Sequence, residues 1–248
     1  MSASDDERPG LQQAGLLVVV AVQAEADAVL RALPGGARPL PVPGGGELRR
    51  AEPADGVPVD VLVGGVGPAA AAAGTAAALS ARRYALVVSA GIAGGFAPGA
   101  PIGSLVVAGR IVAADLGAET PEGFQDVARL GFGTVRHSPP PAAVRLASDA
   151  LGAACGDVLT VSTVTGSAER AAILAARHPG ALAEAMEGFG VAEAAARFGT
   201  PAFEIRAVSN AVGPRDRAAW RIGEALGALE RAFHTLPYRA LLQEVSRG

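Results

Sequence analysis

The chain has 248 residues and a formal charge of −3; half of its residues are hydrophobic and only 4% are aromatic. This length suits one α/β domain with a core of Val, Leu, Ile and Ala, and the even spread of charge provides no basic stripe to neutralise nucleic-acid phosphates. The single cysteine, Cys155, excludes an intrachain disulfide framework and suits a reducing compartment, and no apolar run reaches the roughly 20 residues of a membrane span.

Every basic residue is an arginine, which together with the abundance of Ala, Gly and Pro reads as codon bias. Cys155, beside Ala153 and Ala154, is expected to be a small core residue. His137, His178 and His234 form no recognisable pairing with it. Met1 to Gly10 is acidic and polar, unlike a secretory signal. Residues 1–14 are therefore expected to be a disordered tail, and residues 15–248 one domain of a soluble, cytoplasmic protein.

In chain order, Leu16 to Val22 (LLVVVAV) predicts a buried strand. Ala24 to Leu33 has helical spacing and stops at Pro34-Gly35-Gly36. Arg38 to Gly56, rich in Pro and Gly, predicts a short irregular strand pair. Val57 to Val63 predicts a strand that Pro58 confines to an edge or a strand start. Gly64 to Pro68 is a tight loop opening an Ala-rich helix, Ala69 to Arg82, with Pro68 at a tolerated early position.

Tyr84 to Ala90 is the clearest central strand, with Gly91-Ile92-Ala93-Gly94-Gly95 directly after it. Leu105 to Ala108 and Ile111 to Ala114 read as two strands joined near Gly109-Arg110. Asp115 to Pro141, containing Phe124 and Phe132, is long enough to be functional or mobile. Ala142 to Ala154 predicts a helix and Val158 to Val164 a strand. Ser167 caps a helix from Ala168 to Arg177. Glu187 to Phe198 predicts a helix, Ala202 to Ser209 a strand, and Arg217 to Phe233 a long terminal helix. The alternation predicts a three-layer α/β/α sandwich with a mixed central sheet, whose ligands bind beyond the carboxyl ends of strands.

The residues at those ends are Gln23-Ala24-Glu25, Gly91 to Gly95, Met186-Glu187 and Ser209-Asn210. Two carboxylates and an amide in one cleft suit cleavage of an N-glycosidic bond, which needs an activated water, anchored ribose hydroxyls and a stabilised leaving base. Taken singly, each has an ordinary explanation. Glu25 and Glu187 near helix starts complement the macrodipole. Asn210 caps the turn before Gly213-Pro214. Gly91 to Gly95 is a sharp strand exit, and Met186 is core filler. Neither glycine-rich segment is a G-x-G-x-x-G fingerprint or a P-loop.

Their order along the chain adds a resemblance. AVQAEADAVL, VGGVGPAAAAAGT, SAGIAGGFAPGAPIGSLVV, AEAMEGFGVAEAA and IRAVSNAV occur in sequence. From about Leu16 to about Phe233 this resembles the methylthioadenosine/S-adenosylhomocysteine nucleosidases and their purine nucleoside phosphorylase relatives. The resemblance implies that Glu25 activates water, with Asp27 as the alternative register. It implies that Glu187 holds the ribose hydroxyls, that Met186 packs on the sugar, and that Ala93 and Gly94 line the site beside it. Val66 joins them in the candidate binding set. Val161 to Ser167, including Thr163, falls where the family embraces the purine, next to Ser209.

Asn210 departs from the adenine-specific pattern, which carries an aspartate there. An amide cannot act as that acid, but it can donate to a 6-oxo group, and a site built for one exocyclic group rejects the other. The STVTGS run, the DLGAE run (Asp115 to Glu119) and Ser209-Asn210 resemble the futalosine hydrolase branch, which implies release of hypoxanthine without metal or organic cofactor. The substrate's benzoate tail then calls for apolar surface, for which Phe124 and Phe132 are candidates; both also suit ordinary loop anchoring. No arginine lies in Gly64–Pro68, in Gly91–Gly95 or beside Glu25, which favours water over phosphate as acceptor. The relatives imply a homo-oligomer paired at the active site. The alternatives are a purine nucleoside phosphorylase, an adenine-releasing nucleosidase, and a non-catalytic nucleoside-binding protein.

Overall fold

The computed structural model describes residues 15–44, 46–53 and 55–247; the expected tail over 1–14 lies outside them. Its strands are β1 (Leu16–Val20), β2 (Arg38–Leu40), β3 (Leu48–Ala51), β4 (Val59–Val63), β5 (Leu86–Gly95), β6 (Leu105–Ala113), β7 (Gly117–Thr120), β8 (Gly123–Asp126), β9 (Arg136–His137), β10 (Ala154–Thr160), β11 (Ala181–Ala185) and β12 (Ala202–Ala211). The helices are α1 (Gln23–Arg31), α2 (Pro68–Ala81), α3 (Pro141–Leu151), α4 (Ala168–Arg177), α5 (Gly188–Arg197), α6 (Ile222–Thr235) and α7 (Tyr238–Arg247).

Among the described residues the main sheet has ten strands in the order β11-β10-β6-β12-β5-β1-β4-β3-β2, with β9 on β6. Pairing is parallel through β4-β1-β5-β12 and through β6-β10-β11, and antiparallel where β12 meets β6 and where β3 meets β4. Side chains alternate across each strand. Leu16, Val18 and Val20 enter one core with α1, α3, α6 and α7, while Leu17 and Val19 enter another with α2 and α5. Burial on both faces explains the unbroken apolar run of β1, and the three-layer mixed α/β architecture is as expected from sequence.

The main differences from the sequence reading lie where long-range pairing overrides local pattern. Gly91 to Gly95 is not a strand exit: β5 continues through it, pairing with β12 and then, at Ala183↔Gly95 and Glu184↔Gly94, with β11. Leu105 to Ala113 is one strand, its irregularity at Gly109-Arg110 matched by a register shift in β10 between Gly156 and Asp157. Arg110 grips Asp157 there through two bonds of 2.6 and 2.7 Å. Strand β11 (ALAEA) has no β-branched residue and was missed; its state comes from pairing, not propensity.

The expected helix over Arg217–Phe233 is a 3₁₀ turn at Arg217–Ala219 followed by α6, and α7 was not anticipated. Pro237 lacks the N–H a continuous helix needs. Strand β10 stops at Thr160, short of Val164. Residues 115–141 contain the β7–β8 hairpin and β9. Pro58 precedes β4, which is interior, so the strand-start alternative holds. Cys155 is exposed, not core, at the outer end of β10.

Candidate active site

Glu25 enters the interior because α1 begins directly after β1, and its first turn points the side chain back along the strand. The carboxylate accepts from Ala21 N (2.9 Å) and Val22 N (3.2 Å) through Oε2, and from Ile92 N (2.9 Å) through Oε1. The ordinary reading of Glu25 as a helix-start acid is therefore also true: from the first turn of α1 it reaches back to the N-cap N–H of Val22 and to Ala21 N just before it. Its third bond reaches β5. Asp27, the alternative register, instead accepts from exposed Gln23 Nε2 at 2.7 Å.

Burial pushes the Glu25 carboxyl above the ordinary glutamate range; the Ile92 N–H, Arg206 and the Ala21 N–H pull it part of the way back. Gly91 makes room for this group. A methyl there would sit 2.5 Å from Glu25 Oε1 and 2.9 Å from Arg206 Nη1. The central glycine thus marks a close approach of a carboxylate and a guanidinium to the backbone of β5.

Arg206, on β12, was not singled out from the sequence. It is fully buried; its guanidinium donates to Glu204 Oε1 (2.8 Å) and Ser89 Oγ (3.0 Å), and its Nη1 lies 3.2 Å from Glu187 Oε2, an ion pair and not a hydrogen bond. Burial disfavours its charge, but Glu204, Glu187 and Glu25 outweigh that and hold it firmly protonated. Glu204 and Arg206 sit two apart on one face of an otherwise apolar strand, AFEIRAV. That pair is the signal available in the sequence, since buried charges persist only when partnered.

Glu187 precedes α5 and makes no side-chain cap to it. Its carboxylate instead accepts from Gly67 N (3.3 Å), in the Gly64–Pro68 loop, and from Met186 N (3.3 Å). Glu187 therefore ties that loop to Arg206, and Arg206 approaches Glu25. Gly188 is required because the Glu204 carboxylate occupies the space a Cβ would fill. Val66, in the loop, is exposed, and Met186 is partly buried.

Asn210 lies four residues beyond Arg206 on β12, about 13 Å along an extended strand. The register of β12 on β5 shifts between Val208↔Ala93 and Asn210↔Gly94, leaving Ser209 as the extra residue. Bulges of this kind redirect side chains. Buried Ser209 donates from Oγ to Asn210 Oδ1 (2.8 Å), with Ala93 O a longer second acceptor (3.2 Å). Asn210 Nδ2 donates to Ala211 O (3.0 Å), and among the described residues no backbone N–H of the turn before Gly213-Pro214 donates to its Oδ1, so the amide is not the cap of that turn expected from sequence. Ala93, Gly94, Ser209 and Asn210 thus form one patch, with Glu25, Glu187 and Arg206 further back along the same strand pair.

Thr163 is exposed in the segment between β10 and α4. The neighbouring Gly166 O accepts from Arg215 N at 3.3 Å, so this segment flanks the stretch that follows Asn210. The Arg177 guanidinium lies 4.1 Å from the centroid of the Phe124 ring, whose tip reaches over Gly117 of the partner strand, which meets the loop-anchoring reading. Phe132 is 81% exposed.

Residues 16–238 match the family model described as the phosphorylase superfamily. The chain is 64% identical over 226 residues to futalosine hydrolase from Streptomyces coelicolor, covering 89% of this chain and 94% of that one. It is 49% identical over 225 residues to futalosine hydrolase from Acidothermus cellulolyticus, covering 89% of each. The fold is that of a 5′-methylthioadenosine/S-adenosylhomocysteine nucleosidase from Colwellia psychrerythraea solved with adenine, at a TM-score of 0.76 and 23% identity over 94% of this chain and 96% of that one. The chain belongs to the phosphorylase superfamily and, within it, to the futalosine hydrolases.

Proposed function

We propose that this protein hydrolyses the N-glycosidic bond of a 6-oxopurine nucleoside, converting futalosine and water to dehypoxanthine futalosine and hypoxanthine in menaquinone biosynthesis. The observation that carries the choice of water is the charge around Arg206. Glu25, Glu187 and Glu204 surround a single guanidinium that is already ion-paired with two of them. A phosphate dianion meets repulsion there, whereas a water finds a carboxylate acceptor.

Glu25 takes the proton of the attacking water as oxygen bonds to the anomeric carbon. The carbon–nitrogen bond breaks, its electron pair leaves with the purine, and the departing base takes a proton from solvent to become hypoxanthine while Glu25 returns its own proton to solvent. Glu187 accepts from the ribose hydroxyls, with Met186, Ala93, Gly94 and Val66 around the sugar. Base assistance of this kind contributes about 10²–10⁴-fold in rate.

Asn210 supports the 6-oxo choice. Its Oδ1 is taken by Ser209 and one Nδ2 proton by Ala211 O, so the amide has an N–H left for a purine acceptor. Thr163 and Ser209 complete the base site. Phe124, with the β7–β8 hairpin, is the candidate wall for the aromatic tail. An adenine-releasing activity, which the Colwellia likeness brings to mind, needs an acid where Asn210 stands.

Residues 15–248 act as one unit, in the cytoplasm, as a homo-oligomer; among the described residues no helix is long and apolar enough to cross a membrane. The deciding experiment incubates the purified protein with futalosine, with and without phosphate. Phosphate-independent hypoxanthine release is expected; strict dependence on phosphate or inertness toward futalosine overturns the reading.

A further inference from the structure

We propose that Glu184 and Thr165 form a latch that fixes the Val161–Ser167 segment relative to Asn210, making Glu184 a positioning residue for recognition of the purine; this rests on the reading of that segment and Asn210 as the base site. Thr165 donates twice to one carboxylate, from its backbone N–H to Oε1 (2.9 Å) and from its hydroxyl to Oε2 (2.5 Å). Both residues are buried, while Ser162, Thr163, Val164 and Gly166 around Thr165 are exposed. Within the 162–166 stretch Thr165 is thus the one buried residue, and the exposed crest around it follows where its side chain is held.

Stability alone does not account for the pair. Among the described residues no cation lies within ion-pair distance of Glu184. Burial pushes its carboxyl above the ordinary range, against the pull of the Thr165 hydroxyl, the Thr165 N–H and the more distant Arg170. An apolar pair of similar shape holds a fold at least as well as a buried carboxylate that has hydrogen bonds but no paired cation. What a carboxylate adds is direction, since two charge-assisted bonds to one residue fix its position in two dimensions.

The position so fixed is relative to the base site. Glu184 stands opposite Gly94 in the β11–β5 pairing, and Gly94 stands opposite Asn210 in the β5–β12 pairing. Two strand spacings, about 10 Å, thus separate the backbone of Glu184 from that of Asn210 across the sheet. On the other side the Arg215 N–H holds Gly166 O. Val161 N bonds Ala185 O (3.0 Å), and Ser162 N bonds Asp115 Oδ2 (2.7 Å). Thr163 and Val164 are left between these anchors, at the rim facing outward.

The test compares wild type with Thr165→Val, which is isosteric and alters no charge, with Thr165→Ser, which keeps the hydroxyl, and with Glu184→Gln, which turns one acceptor into a donor. Hypoxanthine affinity by calorimetry, KM and kcat for the nucleoside, and Tm are measured for each. Thr165→Val and Glu184→Gln are expected to weaken hypoxanthine binding and raise KM about tenfold, the scale of one misplaced polar contact. Saturated kcat is expected to fall less than about threefold, because base binding and not the attacking water is disturbed. Thr165→Ser should recover the affinity. Unchanged hypoxanthine affinity in Thr165→Val, whatever its Tm, overturns the latch, as does a Thr165→Ser variant as defective as Thr165→Val; if Glu184→Gln does not fold, the two Thr165 variants decide. A wild-type protein that neither binds hypoxanthine nor cleaves a 6-oxopurine nucleoside overturns the base-site reading itself, a result distinguishable from normal wild type with indifferent variants.

Discussion

Glu25 Oε1 accepts a hydrogen bond from Ile92 N at 2.9 Å, across 67 residues of sequence. The contact joins the exit of β1 to the interior of β5 and places a buried carboxylate beside the backbone of Gly91. It also holds the carboxylate in one orientation, which a general base requires before substrate arrives.

The pH dependence of turnover follows from that burial. The Glu25 carboxyl titrates above the ordinary glutamate range because desolvation outweighs its three N–H donors and Arg206. Water activation requires the ionised form, so kcat/KM should rise with pH through this raised value and level off above it. Steady-state rates across the acidic range check this; an acid limb at or below the ordinary glutamate value contradicts the assignment of Glu25 as base.

Removing the base and displacing it should look alike. Glu25→Ala is expected to lower kcat by about 10²–10⁴-fold with substrate binding largely retained. Gly91→Ala, whose methyl would meet Glu25 Oε1 at 2.5 Å, should lose turnover in the same way although no chemical group is deleted. Ligand binding and single-turnover rates of the two variants provide the comparison.

Arg206 is expected to matter to the fold before it matters to rate. Arg206→Met strands the Glu204 and Glu187 carboxylates in the interior, a change that typically costs about 3–5 kcal/mol. A carboxyl whose folded pKa is raised stabilises the fold in its protonated form, so stability is greatest at low pH and falls as pH rises through that value. Burial already raises Glu204 in this way, and loss of its cation extends the effect. Urea unfolding should therefore show the deficit of Arg206→Met widening from acid to neutral pH, and the double variant Arg206→Met/Glu204→Leu recovering part of it.

Base choice should turn on Asn210. In Asn210→Asp the Ser209 hydroxyl still satisfies one oxygen, and the other presents an acceptor where the amide presented a donor. Hydrolysis of 6-oxopurine nucleosides should weaken and that of 6-aminopurine nucleosides should appear. The ratio of kcat/KM for the two classes measures it, and an unchanged ratio removes Asn210 from specificity. Glu187→Ala, by contrast, should impair KM and kcat together without altering that ratio.

Several features were legible because they are local. The apolar run Leu16–Val20 declared a strand buried on both faces, and Ser167 caps α4 as its chemistry suggests, accepting from Arg170 N at 3.2 Å. The order of the Glu25, Gly91–Gly95, Met186-Glu187 and Ser209-Asn210 segments along the chain was sufficient to indicate the nucleosidase-like family. Strand β11 and the unbroken β6 were not legible, since Ala-rich ALAEA and the Gly109-Arg110 step take their state from neighbouring strands.

By itself the sequence determined which segments are buried, in what order strands and helices alternate, and which residue types stand at the strand ends, because periodicity and turn chemistry act within a few residues. Only the tertiary structure decided that Arg206 meets Glu187, that Glu25 reaches Ile92, and that Glu184, two strands away from Asn210, holds Thr165. Each of these pairs a charged group with a partner brought from another element, and the energy of a buried charge is set by what lies within a few ångströms of it in space, whatever the separation along the chain.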